Sequence, residues 1–251
     1  MTVPPRPTVS LPQWSFQASD HRLCGPRPRR CPVRVTRRKL SEGTALLALA
    51  GAALGIWPGG FRVLTPARAD VSNEELMAPG PLGEKSQGDP KAPVTLIEYA
   101  AVTCPHCADF FTHQFPEIKS KYIDTGKVLF IFREFPLNAL DLAGFMLARC
   151  AGDDKYFPMV DTLFEKQREW VVQKPLEPLL TIAKQAGLSK ETFDACLTNQ
   201  KVEDGLKWVR ERAAGKFGVT GTPTFFINGK KFTGNPAAAD IGKEIDGYLK
   251  S

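Results

Sequence analysis

The feature that most constrains the fold is a short apolar run followed at once by two cysteines at the start of a helical pattern. The run VTLIEYAAV, residues 94–102, is partly β-branched and predicts a buried strand. Cys104 and Cys107 follow it in the stretch TCPHC, and residues 108–123 repeat apolar side chains at helical spacing. A second strand is predicted at 128–135, VLFIFREF, because it begins with the continuous apolar run of a buried parallel strand. The pattern predicts a strand–helix–strand unit with both cysteines at the helix N-terminus.

The rest of the chain predicts a helical block and a hairpin. Residues 138–217 show helical periodicity throughout, whereas 218–234, GVTGTPTFFINGKKFTG, reads as two short strands joined by an Asn-Gly turn. Asn235 and Pro236 suit the N-cap and first position of a closing helix. We therefore expect a mixed α/β layer interrupted by an all-helical insertion, with boundaries at 94–137 and 218–251 for the layer and 138–217 for the insertion.

The N-terminal region has the layout of an export signal. The basic stretch TRRKLS, 36–41, precedes an uncharged Ala- and Gly-rich run at 44–57, and small residues follow up to Ala69. The adjacent arginines resemble a twin-arginine signal. We expect residues 1–69 to be an N-terminal extension and signal cleaved after Ala69, with 70–93 as a polar linker; the alternative is an uncleaved N-terminal anchor.

Charge argues against a nucleic-acid partner. The whole chain carries a net charge of +6, but residues 1–69 hold 11 Lys and Arg against 2 Asp and Glu. The rest therefore holds 22 Lys and Arg against 25 Asp and Glu, a net charge of −3. No basic block suited to phosphates remains in the expected mature chain, so we expect no nucleic-acid binding.

The cysteine pair has three possible roles, namely two inert buried thiols, half of a metal site, or a redox centre. The polar His106 and the helix-start position argue against a core site. A metal site needs three or four ligands, and no second CxxC is present, so no metal is expected. A redox pair is favoured because a helix N-terminus stabilises a thiolate at the first cysteine. The other two cysteines of the expected exported chain, Cys150 and Cys196, are expected to form a structural disulfide within the insertion; the alternative is two free buried thiols.

The motif Cys-Pro-His-Cys after an apolar strand, a helical insertion, and then VTGTPT at 219–224 resembles the DsbA-like branch of the thioredoxin superfamily. The resemblance runs from about residue 85 to residue 250. It implies a thioredoxin-like fold with an inserted all-helical domain. It also implies that Cys104 is the exposed nucleophile and Cys107 the buried resolving cysteine, with Pro105 and His106 between them and His106 stabilising the Cys104 thiolate.

The same resemblance assigns three residues outside the motif. Pro223 matches the cis-proline beside the active-site sulfurs, and Thr222 before it would present backbone groups to a bound peptide. Glu98 matches a buried acid that assists proton transfer at the resolving cysteine. The sequence departs from some relatives here, because 128–132 lacks the lysine that pairs with this acid. Glu98 is therefore either an unpaired carboxyl with a raised pKa, a carboxyl with another partner, or a solvated residue.

The resemblance implies a periplasmic dithiol oxidase that introduces disulfides into exported proteins through a mixed disulfide at Cys104. It would need no cofactor besides its own disulfide, act as a monomer on exported cysteine-containing proteins, and be reoxidised by a DsbB-like membrane partner. The alternatives are a disulfide isomerase or reductase, and a thioredoxin-fold module that binds metal or acts as a holdase.

Overall fold

A five-stranded mixed sheet forms the centre of the computed structural model, which describes residues 72–250. The predicted export signal lies outside these residues. The strand order is β1-β3-β2-β4-β5, with β2 and β3 parallel and every other pair antiparallel. The strands are β1 Lys85–Gln87, β2 Val94–Ala100, β3 Val128–Glu134, β4 Thr224–Ile227 and β5 Lys230–Lys231. The predicted strand–helix–strand unit and the predicted hairpin are both present.

Strand β2 lies in the middle of the sheet and is buried on both faces, which explains why its sequence is apolar without alternation. Its register places Glu98 opposite Phe132 of β3 and Phe225 of β4. A polar residue therefore sits in an aromatic row at the centre of the sheet. The β4–β5 turn has Asn228 and Gly229 at φ 45° and 83°, which is the backbone that an Asn-Gly hairpin turn requires.

The helix after β2 runs without a break from residue 105 to residue 123. It begins as α2 Pro105–Asp109, passes through the π-helical turn Phe110–Gln114 into α3 Phe115–Ile118, and ends in a second π-helical turn, Lys119–Ile123. The first π-helical turn ends just before Pro116, whose nitrogen carries no hydrogen to donate. The helix buries Phe110, Phe111 and Phe115 beneath the sheet.

Six helices lie between β3 and β4: α4 Ala139–Cys150, α5 Asp153–Glu165, α6 Gln167–Trp170, α7 Leu176–Gln185, α8 Lys190–Leu197 and α9 Gln200–Lys216. Helix α4 packs directly on the loop after β2, because a Cβ at Gly144 would come within 2.9 Å of Val102 Cγ2. Within 72–250, no helix has the length and apolar character needed to cross a membrane.

Two predictions differ from the structure. The expected linker 70–93 contains helix α1 Asn73–Met77 and the sheet strand β1, whose pairing with β3 uses backbone groups and needs no apolar pattern. The closing helix α10 spans Ala238–Leu249 with Ala237 as its N-cap, whereas the sequence predicted Asn235 as the N-cap and Pro236 as the first helical residue. Its first N–H, of Ala238, is capped by the side-chain oxygen of Gln114 at 3.0 Å, a long-range cap that local sequence cannot indicate.

Candidate active site

The two cysteines of the CPHC motif occupy different environments at the start of α2. Cys104 is the N-cap residue, with φ −77° and ψ 120°, and Pro105 follows at the first helical position. Cys104 is 8% exposed, whereas Cys107 in the first turn is fully buried. Both are free thiols in this structure. Both cysteines are therefore buried. Cys104, which the resemblance predicted to be exposed, keeps a small exposed fraction, and Cys107 keeps none.

The environment of Cys104 favours its thiolate. The hydrogen bond with the Cys107 thiol is the largest effect, and bonds from Thr222 and from the backbone N–H groups of His106 and Cys107 add to it. Together they lower the pKa of Cys104 from the ordinary 9.0 to about 5, against the opposing effect of burial. Cys104 is therefore largely ionised at neutral pH.

The environment of Cys107 has the opposite effect. Burial raises the pKa of this thiol well above its ordinary value, and the hydrogen bond to Cys104 and the charges of Glu98 and Cys104 raise it further. The pair thus divides into Cys104, whose surroundings favour the thiolate, and the more deeply buried Cys107, whose surroundings favour the protonated thiol. In the reduced pair, the negative charge is therefore favoured on Cys104 and the proton on Cys107.

The loop before β4 covers the sulfur of Cys104. The Thr222–Pro223 peptide bond is cis, and the Cys104 thiol donates to the Thr222 carbonyl oxygen at 3.3 Å. The Thr222 hydroxyl is buried with no hydrogen-bond partner among the described residues while Cys104 is a thiol. The Thr222 side chain is one of the groups that lower the Cys104 pKa, after the larger effect of Cys107.

Glu98 lies beneath the cysteines with no partner. The side chain is fully buried, and neither carboxyl oxygen has a hydrogen-bond partner among residues 72–250. Burial raises its pKa well above the ordinary 4.5, and the charge of Cys104 raises it further. The sequence left three interpretations of Glu98 open, and the structure supports the first, an unpaired buried carboxyl with a raised pKa. The solvated reading is wrong.

The remaining predicted residues fall in two places. Pro105 and His106 are exposed beside Cys104. His106 lowers the Cys104 pKa through its backbone N–H, which is one of several contributions. Cys150 and Cys196 form a disulfide that joins α4 to α8, away from the CPHC motif. No cluster of three or more His, Cys, Asp or Glu side chains suited to a metal ion occurs in the part of the chain that the structure describes.

The helical block contributes residues that the sequence did not single out. Gln167, the first residue of α6, donates from Nε2 to the carbonyl oxygens of Val102 and Cys104. Asp141 of α4 accepts from the N–H of Thr103. The only sequence signal is that Asn138 and Asp141 suit a helix start, where Asn138 does cap α4. Nothing local in the sequence indicates that Gln167 reaches the cysteine loop.

Four large apolar side chains in segments connected to this loop are exposed. Val171, Val172 and Leu176 follow α6, and Leu137 follows β3; each is between 37% and 43% exposed. They are tied to the loop because Gln167 bonds to Cys104 and because the Leu137 N–H shares the Asp141 carboxylate with Thr103. These exposed apolar residues are therefore close in the chain to residues that bond to the cysteine loop.

Solved structures share this fold over most of the described chain. The family model described as Thioredoxin matches residues 82–247. The crystal structure of Wolbachia pipientis alpha-DsbA1 is 38% identical with a TM-score of 0.65, and the match covers 71% of this chain and 96% of that one. The crystal structure of oxidised BdbD from Bacillus subtilis, at 23% identity and a TM-score of 0.60, covers 67% and 94% and shares the fold.

Sequence relatives carry names from disulfide chemistry. A Rickettsia conorii protein with the provisional name protein-disulfide oxidoreductase is 37% identical over 165 residues, which are 65% of this chain and 59% of that protein. A Bacillus anthracis protein provisionally named disulfide bond formation protein D is 29% identical over 180 residues, with 66% and 79% covered. The chain thus spans about three fifths of the length of the Rickettsia relative.

The family model covers more than half of the chain, and alpha-DsbA1 is matched over nearly its whole length. The matched residues form a thioredoxin-like α/β fold with helices inserted between β3 and β4. The predicted fold class is confirmed. This chain belongs to the DsbA-like branch of the thioredoxin superfamily.

Proposed function

We propose that this chain is a thiol:disulfide oxidoreductase that acts as a dithiol oxidase. The observation that carries the proposal is the asymmetry of the pair, with the Cys104 pKa lowered to about 5 and the Cys107 pKa raised by burial. Each unit by which the thiolate pKa falls favours the reduced pair by about 1.4 kcal/mol. A disulfide whose reduced form is stabilised is a strong oxidant, so the pair accepts electrons from substrate thiols.

The reaction proceeds from the Cys104–Cys107 disulfide. A substrate thiolate attacks Cys104 Sγ, a new intermolecular S–S bond forms, and the Cys104–Cys107 bond breaks. Cys107 leaves as a thiolate and takes up a proton, because its buried site disfavours the charge. Glu98, buried and protonated in the same interior, is the proton donor we assign to this step.

The second step releases the product. A second substrate thiolate attacks the substrate sulfur of the mixed disulfide, and Cys104 leaves as a thiolate. A thiol of low pKa is the better leaving group, so the hydrogen bonds around Cys104 assist this step. The substrate loses two electrons and two protons as its disulfide forms, and the Cys104–Cys107 pair gains the two electrons.

The loop before β4 and the exposed apolar residues of the segments connected to the cysteine loop would bind the substrate. Thr222 offers backbone groups beside the sulfur, and Leu137, Val171, Val172 and Leu176 offer exposed apolar contacts. Extended, unfolded segments of newly exported proteins have the exposed backbone and apolar side chains that such a surface accepts. We propose these cysteine-containing proteins as substrates.

The cellular setting belongs to the same proposal. We place the enzyme in the periplasm, working as a monomer without a cofactor beyond its own disulfide and reoxidised by a DsbB-like membrane partner. The twin-arginine pattern in the sequence and the family membership support this placement.

Replacing both arginines of the pattern, Arg37→Lys with Arg38→Lys, should block export, because ammonium groups lack the guanidinium fork that a twin-arginine receptor would bind. Cell fractionation measures the amount of the double variant in the periplasm, and an amount equal to wild type would contradict export by a twin-arginine route.

The reduction potential tests the direction of the reaction. The protein is equilibrated with glutathione redox buffers and quenched with acid. The ratio of the Cys104–Cys107 disulfide form to the dithiol form is then measured. We expect a couple far more oxidising than thioredoxin, whose potential is about −270 mV. A potential as low as that of thioredoxin would contradict the oxidase and favour the reductase alternative. Stoichiometric metal on the purified protein, with no oxidation of a dithiol peptide, would favour the metal-binding alternative.

A further inference from the structure

The inserted helices hold the backbone on both sides of Cys104. The Gln167 side-chain nitrogen donates one hydrogen to the Val102 carbonyl at 2.8 Å and the other to the Cys104 carbonyl at 3.0 Å. The Asp141 carboxylate accepts from the N–H of Thr103, between them, at 2.6 Å. Three consecutive residues that end at the nucleophile therefore have backbone groups satisfied by side chains of the helical block.

Both anchoring side chains are held in place. Gln167 is 9% exposed, and its helix α6 is fixed by the fully buried Trp170, whose indole donates to the Leu163 carbonyl. Asp141 is fully buried, and its second oxygen accepts from the Leu137 N–H at 3.0 Å. Neither group can rotate away without leaving a buried donor or acceptor unpaired, which costs about 1–3 kcal/mol.

The backbone conformation of residues 102–104 determines which groups the Cys104 sulfur contacts. Cys104 is an N-cap residue without helical φ and ψ, so the path of residues 102–104 sets the direction of its side chain. The Cys104 carbonyl accepts from both Gln167 and the helical N–H of Ala108, which joins the loop to the first turn of α2. In that geometry the sulfur meets the N–H groups of His106 and Cys107.

We propose that Gln167 and Asp141 are positioning residues through which the inserted helical block sets the thiolate reactivity of Cys104. The inference deepens the proposed function and rests on it, because it assumes that the Cys104 thiolate is the reacting group. Neither residue touches the sulfur. Each acts through the backbone that aims the sulfur at its donors.

The test replaces Gln167 by Met, which has a similar length and no hydrogen to donate. The pH dependence of thiolate absorbance and of iodoacetamide alkylation is measured on the reduced protein, with Gln185→Met as the control. Gln185 is an exposed glutamine of α7 whose side-chain oxygen accepts a hydrogen bond from Lys166. We expect the Cys104 titration midpoint to rise by about one unit in Gln167→Met, so that alkylation at pH 4 slows about tenfold, and to stay unchanged in Gln185→Met.

A structural role alone would lower thermal stability and leave the midpoint unchanged, and that result would overturn the proposal. If Gln167→Met does not fold, Asp141→Asn carries the test, because the amide keeps the shape and one acceptor oxygen but loses one of the two N–H bonds. A midpoint equal to wild type in that variant would also overturn it. A wild-type midpoint at the ordinary thiol value would instead contradict the proposed function, which separates the two failures.

Discussion

At the scale of single residues, the chemistry depends on two sulfur atoms with the same covalent structure and different surroundings. Cys104 is the N-cap of α2 and meets the N–H groups of the first turn. Cys107 lies inside that turn, fully buried, near Cys104 and the Glu98 carboxyl. Helix geometry produces this difference, because the unpaired N–H groups of a helix lie at its first turn.

The cysteine variants should therefore fail in different ways. Cys104→Ala is expected to abolish oxidation of a dithiol peptide, because the nucleophilic sulfur is removed. Cys107→Ala is expected to accumulate mixed disulfides with substrate, because Cys104 can still react but nothing within the protein resolves the bond. Non-reducing gels and mass spectrometry of the trapped species measure both. Trapping by Cys104→Ala instead would reverse the assigned roles.

Glu98 should make stability depend on pH. Its folded pKa is raised above the ordinary 4.5, so the folded state keeps a proton that the unfolded chain releases. Stability therefore falls as pH rises above about 4.5, by about 1.4 kcal/mol for each unit of the shift. Glu98→Gln removes this loss, and the variant should gain stability over wild type between pH 4 and pH 7.

Urea unfolding of the oxidised proteins measures this effect without cysteine ionisation. Glu117→Gln, at an exposed carboxylate of α3, is the matched control and should change little. If the free energies of unfolding of Glu98→Gln and wild type are equal at both pH values, the buried carboxyl does not titrate as the structure indicates.

At the scale of elements, the disulfide between Cys150 and Cys196 joins the end of α4 to α8 across a sequence separation of 46 residues. Helix α4 also carries Asp141, which holds the active-site loop. The cross-link therefore lies at the other end of the helix that contacts the nucleophile's backbone.

Removing this cross-link should destabilise the block. In the chain-entropy model, closing a loop of 46 residues stabilises by about 4 kcal/mol, so Cys150→Ala with Cys196→Ala should lose up to about that amount. Urea unfolding measures the loss. Thiol titration of the oxidised, denatured wild type checks the bond itself, and two free thiols per chain would show that these cysteines are unpaired.

At the scale of the whole molecule, the redox state should set the pH dependence of folding. The Cys104 pKa is depressed to about 5 in the folded dithiol form, against 9.0 in the unfolded chain. The resulting stability is fully present above 9.0 and is lost as pH falls through about 5. The oxidised form has no thiolate and lacks this contribution.

We expect the reduced protein to gain stability relative to the oxidised protein as pH rises from 5 to 8. Thermal melts of both forms at each pH measure the gain. Cys104→Ser, kept in reductant, is the control and should lose most of the dependence because a hydroxyl does not ionise in this range. Parallel curves for the reduced and oxidised wild type would contradict a stabilised thiolate.

Local patterns were sufficient for much of the fold. The apolar runs of β2 and β3 predicted buried strands because a parallel pair covered on both faces needs apolar residues throughout. The Asn-Gly turn predicted the β4–β5 hairpin because few other residue pairs adopt its backbone. The sequence did not predict strand β1, because pairing through backbone groups needs no apolar pattern in a segment of three residues. It did not predict the start of α10, because the cap of that helix comes from Gln114, which is distant in the sequence.

For the site, the motif alone favoured a redox role over a metal site or inert thiols, because CPHC after a buried strand places one sulfur at a helix N-terminus and the other in its first turn. It took the three-dimensional structure to show that the Glu98 carboxyl has no hydrogen-bond partner within residues 72–250, where Phe132 and Phe225 lie opposite it on the neighbouring strands. Only the structure brought Gln167 to the carbonyls of Val102 and Cys104. The physical reason is that these neighbours lie far apart along the chain, and packing alone brings them together.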